Sequence, residues 1–348
     1  VLQSGQACLK YFVQKDAERI ARWRDQSGVS GLELVIRFIS VLLDPAVSES
    51  AALFVGDLAT KVVMKCSAFL SGDVLAELVR VATGRLATAR TSSFTSSMLP
   101  LYAQLVAHHP AEVVGLLDSM AFDGRSGLQI VLDAWFRNFL DIQGYYSRKV
   151  SAIALTRLFA LEDARVAALV VQGDLIPNAA NKGKIVTRSI SRANPDQYTQ
   201  IPAAAKIVKL LLAEIEMDVE SMFARHDGAG LSAVIDEADI GRDGADVDDW
   251  EDDADYDLHD GDEFGGKYDY LSEFIDAGID MDEGDGDDDD DDEDVLADPI
   301  YSQDLNETLG SFLRQVVESD KASFGAAIQP TLTEKEGALL GKLVSLSN

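Results

Sequence analysis

The chain has 348 residues, with 60 Asp and Glu against 30 Lys and Arg, a formal net charge of −30. Such a polyanion is repelled by nucleic acids and by anionic membranes, which argues against a direct reader of either. No apolar run approaches the roughly 18 residues of a spanning helix, and two cysteines, Cys8 and Cys66, are too few for a disulfide framework and fit a reducing compartment.

The chain opens at Val1 with neither an initiator Met nor a signal pattern, and reads as an internal or C-terminal piece of something longer. Leu32, Val35, Ile36, Ile39, Leu42 and Leu43 recur at helical spacing, so residues 32–43 predict an amphipathic helix that Asp44-Pro45 stops. Further helices are predicted over 48–66, 73–89, 95–109, 111–121, 127–142, 145–160 and 162–171. Short breakers part them: Ser71-Gly72-Asp73, His109-Pro110, Asp123-Gly124-Arg125 and Gln143-Gly144. No stretch alternates strictly enough to predict an exposed strand. Helices paired every 40 residues or so over 1–172 predict an all-α architecture, an α-solenoid of HEAT repeats built from antiparallel helix pairs; an ordinary helical bundle is the alternative.

Residues 173–202 read as a basic loop carrying Lys182, Lys184, Arg188 and Arg192. Three roles are open to it: a solvated loop, an intramolecular docking or gating point for acidic residues, or a partner contact. A strong helix over 203–225 follows, with Ile207, Leu210, Leu211, Ile215, Val219 and Met222 on more than one face, so neighbours should enclose it.

Residues 226–298 hold 32 Asp and Glu and only two bases, Arg242 and Lys267, so this stretch carries the entire net charge and the remainder is neutral. Asp287, Asp288, Asp289, Asp290, Asp291 and Asp292 form an unbroken run. Charge repulsion and scarce apolar surface predict a long disordered acidic loop inserted in a repeat, spanning roughly 45–50 Å root-mean-square as a flexible chain. Aromatic residues interleave with the acids. A basic partner is the natural ligand of such a pattern: carboxylates attract it from a distance and a ring docks into an apolar hollow. Trp250, Glu251, Asp252, Asp253 and Tyr256, with the Asp287–Asp292 run, are the candidate binding residues. Residues 299–348 predict C-terminal capping helices, one opened by Asp298-Pro299 and one by the capping box Thr333-Glu334-Lys335-Glu336.

Catalytic patterns do not hold up. Gly261 to Lys267 imitates a phosphate-binding loop, but Tyr268 stands where a Ser or Thr would hold magnesium, and the surroundings are acidic. Gly228-Ala229-Gly230 is a weak dinucleotide echo. No Gly of the acidic stretch fits the calcium-loop register, and His108 and His109 sit where a helix C-terminus attracts them. The expectation is a non-enzyme with no cofactor and no shaped metal site.

Lys184-Ile-Val-Thr-Arg188-Ser-Ile-Ser-Arg192-Ala-Asn-Pro195-Asp-Gln-Tyr198-Thr-Gln-Ile-Pro202 and the subsequent Lys206 to Leu212 resemble the region before the acidic insert of karyopherin-β nuclear import receptors. So do Trp250-Glu251-Asp252, the acidic run, Asp298-Pro-Ile-Tyr301-Ser-Gln-Asp-Leu305 and, upstream, Gly31 to Pro45 and Phe54-Val-Gly56. The resemblance implies a C-terminal portion of a HEAT superhelix in a receptor that shuttles between cytoplasm and nucleus. It implies basic cargo, notably core histones, ribosomal proteins and the TATA-binding protein, which the receptor also shields from nucleic acid as a chaperone does. Ran GTPase would contact chiefly N-terminal repeats, which this chain lacks. A dedicated acidic histone chaperone, or a scaffold whose acidic loop only maintains solubility, remain the rival readings.

Overall fold

A computed structural model describes residues 2–176, 197–217, 293–319 and 324–345. The chain divides into two units, residues 1–219 with 291–348, and residues 220–290. The second unit lies outside the described residues. The first is an α-solenoid of HEAT-type helix pairs. Helices α1 (Leu2–Lys15), α2 (Ala17–Arg22), α3 (Gly31–Leu42), α4 (Val55–Cys66), α5 (Gly72–Ala87), α6 (Ser92–His108), α7 (Pro110–Ser119), α8 (Gly127–Asn138), α9 (Tyr145–Ala160) and α10 (Ala164–Ala167) run in order. The helix at 203–217 is α11. After the second unit's span come α12 (Glu293–Ala297), α13 (Pro299–Ser302), α14 (Leu305–Ser319) and α15 (Glu334–Ser345). Among the described residues no helix is long and apolar enough to cross a membrane.

Helices α1, α4, α6 and α9 pack one on the next as one layer, and α3, α5 and α8 as the other. The second layer has a sequence device. Ser30, Ser71 and Ser126 cap α3, α5 and α8, each hydroxyl accepting from the backbone N–H three residues on, and each is followed by glycine. At Gly31 and Gly127 a side chain would meet the carbonyl oxygens of Ile20 and Leu117, so glycine lets the preceding segment approach the new helix start. Helix α6 is buried on nearly every side, from Phe94 through Ala107, because α7 and α8 cover the faces that α4 and α9 leave open. Trp135 of α8 is fully buried and donates its indole N–H to Ser151 of α9 at 2.7 Å, pinning the two layers where an unpaired indole would cost stability.

Four local expectations need correction. Residues 48–54 are turn rather than helix, because their polar groups serve neighbouring helices. Glu49 accepts from the backbone N–H groups of Arg90 and Thr91, and the side-chain amides of Gln3 and Gln6 on α1 donate to the Ser50 and Ala51 carbonyls. The predicted helix over 162–171 shrinks to α10, capped by Asp163. The predicted basic loop is bracketed by an antiparallel pair, β3 (Val170–Ile176) and β4 (Gln197–Pro202), numbered after the short hairpin β1 (Ala121–Phe122) and β2 (Arg125–Ser126). Val171 and Ile201 face each other across that pair and are buried, and a bulge between Gln172 and Leu175 breaks the alternation that would have announced the strand. The helix begun at Asp298-Pro299 also halts after Ser302, where Asp304 accepts from the Glu307 N–H and starts α14 afresh.

The two thiols differ sharply. Cys66 is fully buried on α4, and burial pushes it up to about 11, whereas Cys8 is exposed on α1. Since the thiolate is the reactive form, only Cys8 is expected to react with an aromatic disulfide reagent at pH 8 until denaturant is added. Prompt reaction of both thiols in the native protein would contradict the packing around α4.

Candidate functional site

Trp250, Glu251, Asp252, Asp253, Tyr256 and Asp287 to Asp292 lie outside the described residues, as do Lys182, Lys184, Arg188 and Arg192 of the basic stretch. The described structure shows the frame that carries both stretches. The acidic segment leaves after α11 and the chain resumes at α12, and both flanks are fastened to the first two turns of α9. Arg148 of α9 donates to the buried Glu214 of α11 at 2.8 Å. On the other side Tyr146 donates its hydroxyl to Asp298 Oδ2 at 2.6 Å, while Lys149 reaches the Tyr301 carbonyl at 2.5 Å. The Lys149 ammonium also lies over the rings of Tyr145 and Tyr301, at 5.3 and 5.8 Å, where a cation is stabilised. Asp298 uses its other oxygen to cap α13 through the Ile300 N–H. The described chain on either side of the segment is therefore held on adjacent turns of one helix.

The root of the basic stretch is tied to α11 as well. Asp174 on β3 is 3.0 Å from Lys209 of α11, and the same ammonium meets Glu336 and the Thr331 carbonyl. Lys206, one turn earlier, has its ammonium held below the usual lysine range by burial; Asp174 and Glu336 pull against that shift, and Lys209 adds to it. Glu336 also closes the capping box at the start of α15, accepting from the Thr333 N–H and hydroxyl while Thr333 accepts from the Glu336 N–H, as its sequence predicts. Lys335 pairs with Glu216 at 2.5 Å. As expected from its apolar faces, α11 is enclosed, with Ile207, Val208, Leu211 and Leu212 buried.

A small cleft of about 200 Å³ lies where α8 meets β3, lined by Arg125, Asp133, Phe136, Arg137, Val171 and Gln172. Burial raises the Asp133 carboxyl while Arg137 and Arg125 draw it down, and Arg125 stands 3.9 Å from it. These charges answer one another. His108 sits at the end of α6 with Nδ1 2.9 Å from the Gln104 carbonyl, the helix-terminus role its position predicts. Among the described residues no cluster of His, Cys, Asp and Glu is arranged to hold a metal ion.

Sequence reasoning passed over Arg148, Lys149, Lys209 and Glu214. The available signal was a charge set inside an apolar helical run, since a buried charge demands a partner; the partner itself is visible only in three dimensions.

No model of a known protein family matches the chain. Among curated proteins, importin subunit beta-5 of Saccharomyces cerevisiae is 30% identical over 308 residues, 88% of this chain and 29% of its own length. Importin subunit beta-5 of Schizosaccharomyces pombe is 24% identical over 254 residues, 72% of the chain and 23% of that protein. Importin-9 of Drosophila melanogaster is 26% identical over 222 residues, 62% and 21% respectively. The chain spans less than a third of the length of these relatives.

Proposed function

The chain is a karyopherin-β family member, homologous to importin subunit beta-5 and importin-9, and from that premise we propose that it is part of a nuclear import receptor whose acidic loop binds and shields basic cargo such as core-histone dimers. One observation carries the reading: the whole net charge of −30 lies in 226–298, between helices fastened to one turn of the solenoid. A polyanion of this density draws in a cationic protein and occupies its DNA-binding face. Trp250 to Asp253 with Tyr256 supply ring and carboxylates at the contact, and the Asp287–Asp292 run supplies long-range attraction. The stretch holding Lys182, Lys184, Arg188 and Arg192 competes with cargo for those carboxylates. Ribosomal proteins and the TATA-binding protein suit the same chemistry, Ran would act through other repeats of the full protein, and the receptor would move between cytoplasm and nucleus.

Titrating the chain with core-histone dimers over several salt concentrations, with duplex DNA as competitor, tests this. Affinity is expected to fall steeply with salt, and the chain is expected to strip histones from DNA; a scaffold with a merely solubilising loop would do neither. Trp250→Ala is expected to weaken the complex by about 1–2 kcal/mol, with no loss if the ring is a bystander.

A further inference from the structure

Lys209 is 4% exposed, and it sits at the middle of α11 among Ile207, Val208, Leu210 and Leu211. Its ammonium has three donors, and acceptors from three places in the sequence surround it. Asp174 Oδ2 lies at 3.0 Å on β3, the Thr331 carbonyl at 3.0 Å, and Glu336 Oε2 at 2.5 Å at the start of α15. Asp174 is half-exposed and stands at the bulge of the β3–β4 pair, next to a backbone turned so that its own N–H donates to Thr199 Oγ1 at 2.8 Å. A bulge re-aims the side chain beside it, and here that side chain meets α11. Glu336 is the carboxylate that closes the α15 capping box. One buried cation thus serves the hairpin and the C-terminal helix at once, and Lys206 adds a second positive charge beside it.

We propose that Lys209 couples the β3–β4 hairpin to α15 and to the root of the acidic segment, so that a change at the hairpin is felt at the C-terminal helix. The physical route is short. When Asp174 is neutralised or drawn away by a ligand, repulsion between Lys206 and Lys209 is less offset, and the Lys209 ammonium turns toward water. Glu336 and Thr331 then lose their shared donor, the capping box is strained, and α11 loosens within about a turn of Glu214, the anchor of the acidic segment on α9. Lys209 is a positioning residue in this scheme, and the coupling does not depend on which cargo the acidic segment binds.

Hydrogen exchange on the full chain reads the coupling without any cargo. Asp174→Asn is expected to raise exchange of the α15 amides 336–340 roughly five- to tenfold, the loss of about one ordinary hydrogen bond because Asp174 is half-exposed, although Asp174 is in β3. Lys209→Met should loosen α11, α15 and the hairpin together, and Lys209→Arg should restore most of the protection. If Lys209→Met does not fold, Asp174→Asn and Glu336→Gln decide: their effects on exchange must be less than additive if one ammonium serves both. Changes confined to 170–176 and 197–202, full additivity, or a Lys209→Arg variant as loose as Lys209→Met would overturn the coupling.

Discussion

Excising residues 226–292 and joining the flanks with a short Gly-Ser linker is expected to lower affinity for core-histone dimers about tenfold or more at low salt and to flatten its dependence on salt. The remaining chain is close to neutral, because 29 acids and only two bases leave with the segment. Each carboxylate contributes little beyond the roughly 8–10 Å Debye length of physiological salt, so steepness comes from many charges acting together. The fold should survive the deletion, since α12 with its fully buried Val295 is kept, Glu214 is held by Arg148, and Tyr301 by Lys149, without help from the excised residues. Asp298, the Tyr146 partner and α13 cap, is kept as well. Circular dichroism establishes folding, and binding titrations at several salt concentrations establish the slope. An unchanged slope would remove the acidic segment from cargo capture.

The largest effect on stability is expected from Gly56→Ala. A methyl group there would stand 2.0 Å from the Ser97 carbonyl oxygen, 2.6 Å from its carbon and 2.9 Å from Met98 Cα. All three atoms are backbone of α6, so no side chain can turn aside. Helices α4 and α6 would have to separate, and with them the buried contacts of Val55, Leu58, Ala59, Met98 and Leu99. Overpacking of a core commonly costs about 1–3 kcal/mol, and a clash with backbone belongs at or above the top of that range. The expected outcome is a fall in Tm of roughly 5–10 °C. Gly72→Ala is the control, because nothing lies within 4 Å of the added atom; equal losses at the two positions would contradict the close crossing.

The solenoid was legible because its helices are long and periodic. Leu32, Val35, Ile39 and Leu42 have the predicted spacing and are buried as predicted. The β3–β4 pair was not, since its two strands are separated by twenty residues of sequence and one is bulged. Ser-Gly at 30–31, 71–72 and 126–127 was a repeat signal in plain view. Its spacing stretches from 41 to 55 residues because α7 is interposed, which hid the period. For the site, counting charges was enough to locate the acidic segment. The groups that hold that segment could not be read, because Arg148 and Glu214 are 66 residues apart and Tyr146 and Asp298 are 152 apart. No local pattern links residues so distant, and only the packing of α9 brings them together.

That mooring on α9 makes the position a natural socket. Exit and return are fixed to neighbouring turns, so whatever lies between them can lengthen, shorten or be exchanged without re-registering the helical stack. A compact foreign domain with adjacent termini, such as a fluorescent reporter, can be grafted there in place of the native tract and remain tethered at both ends.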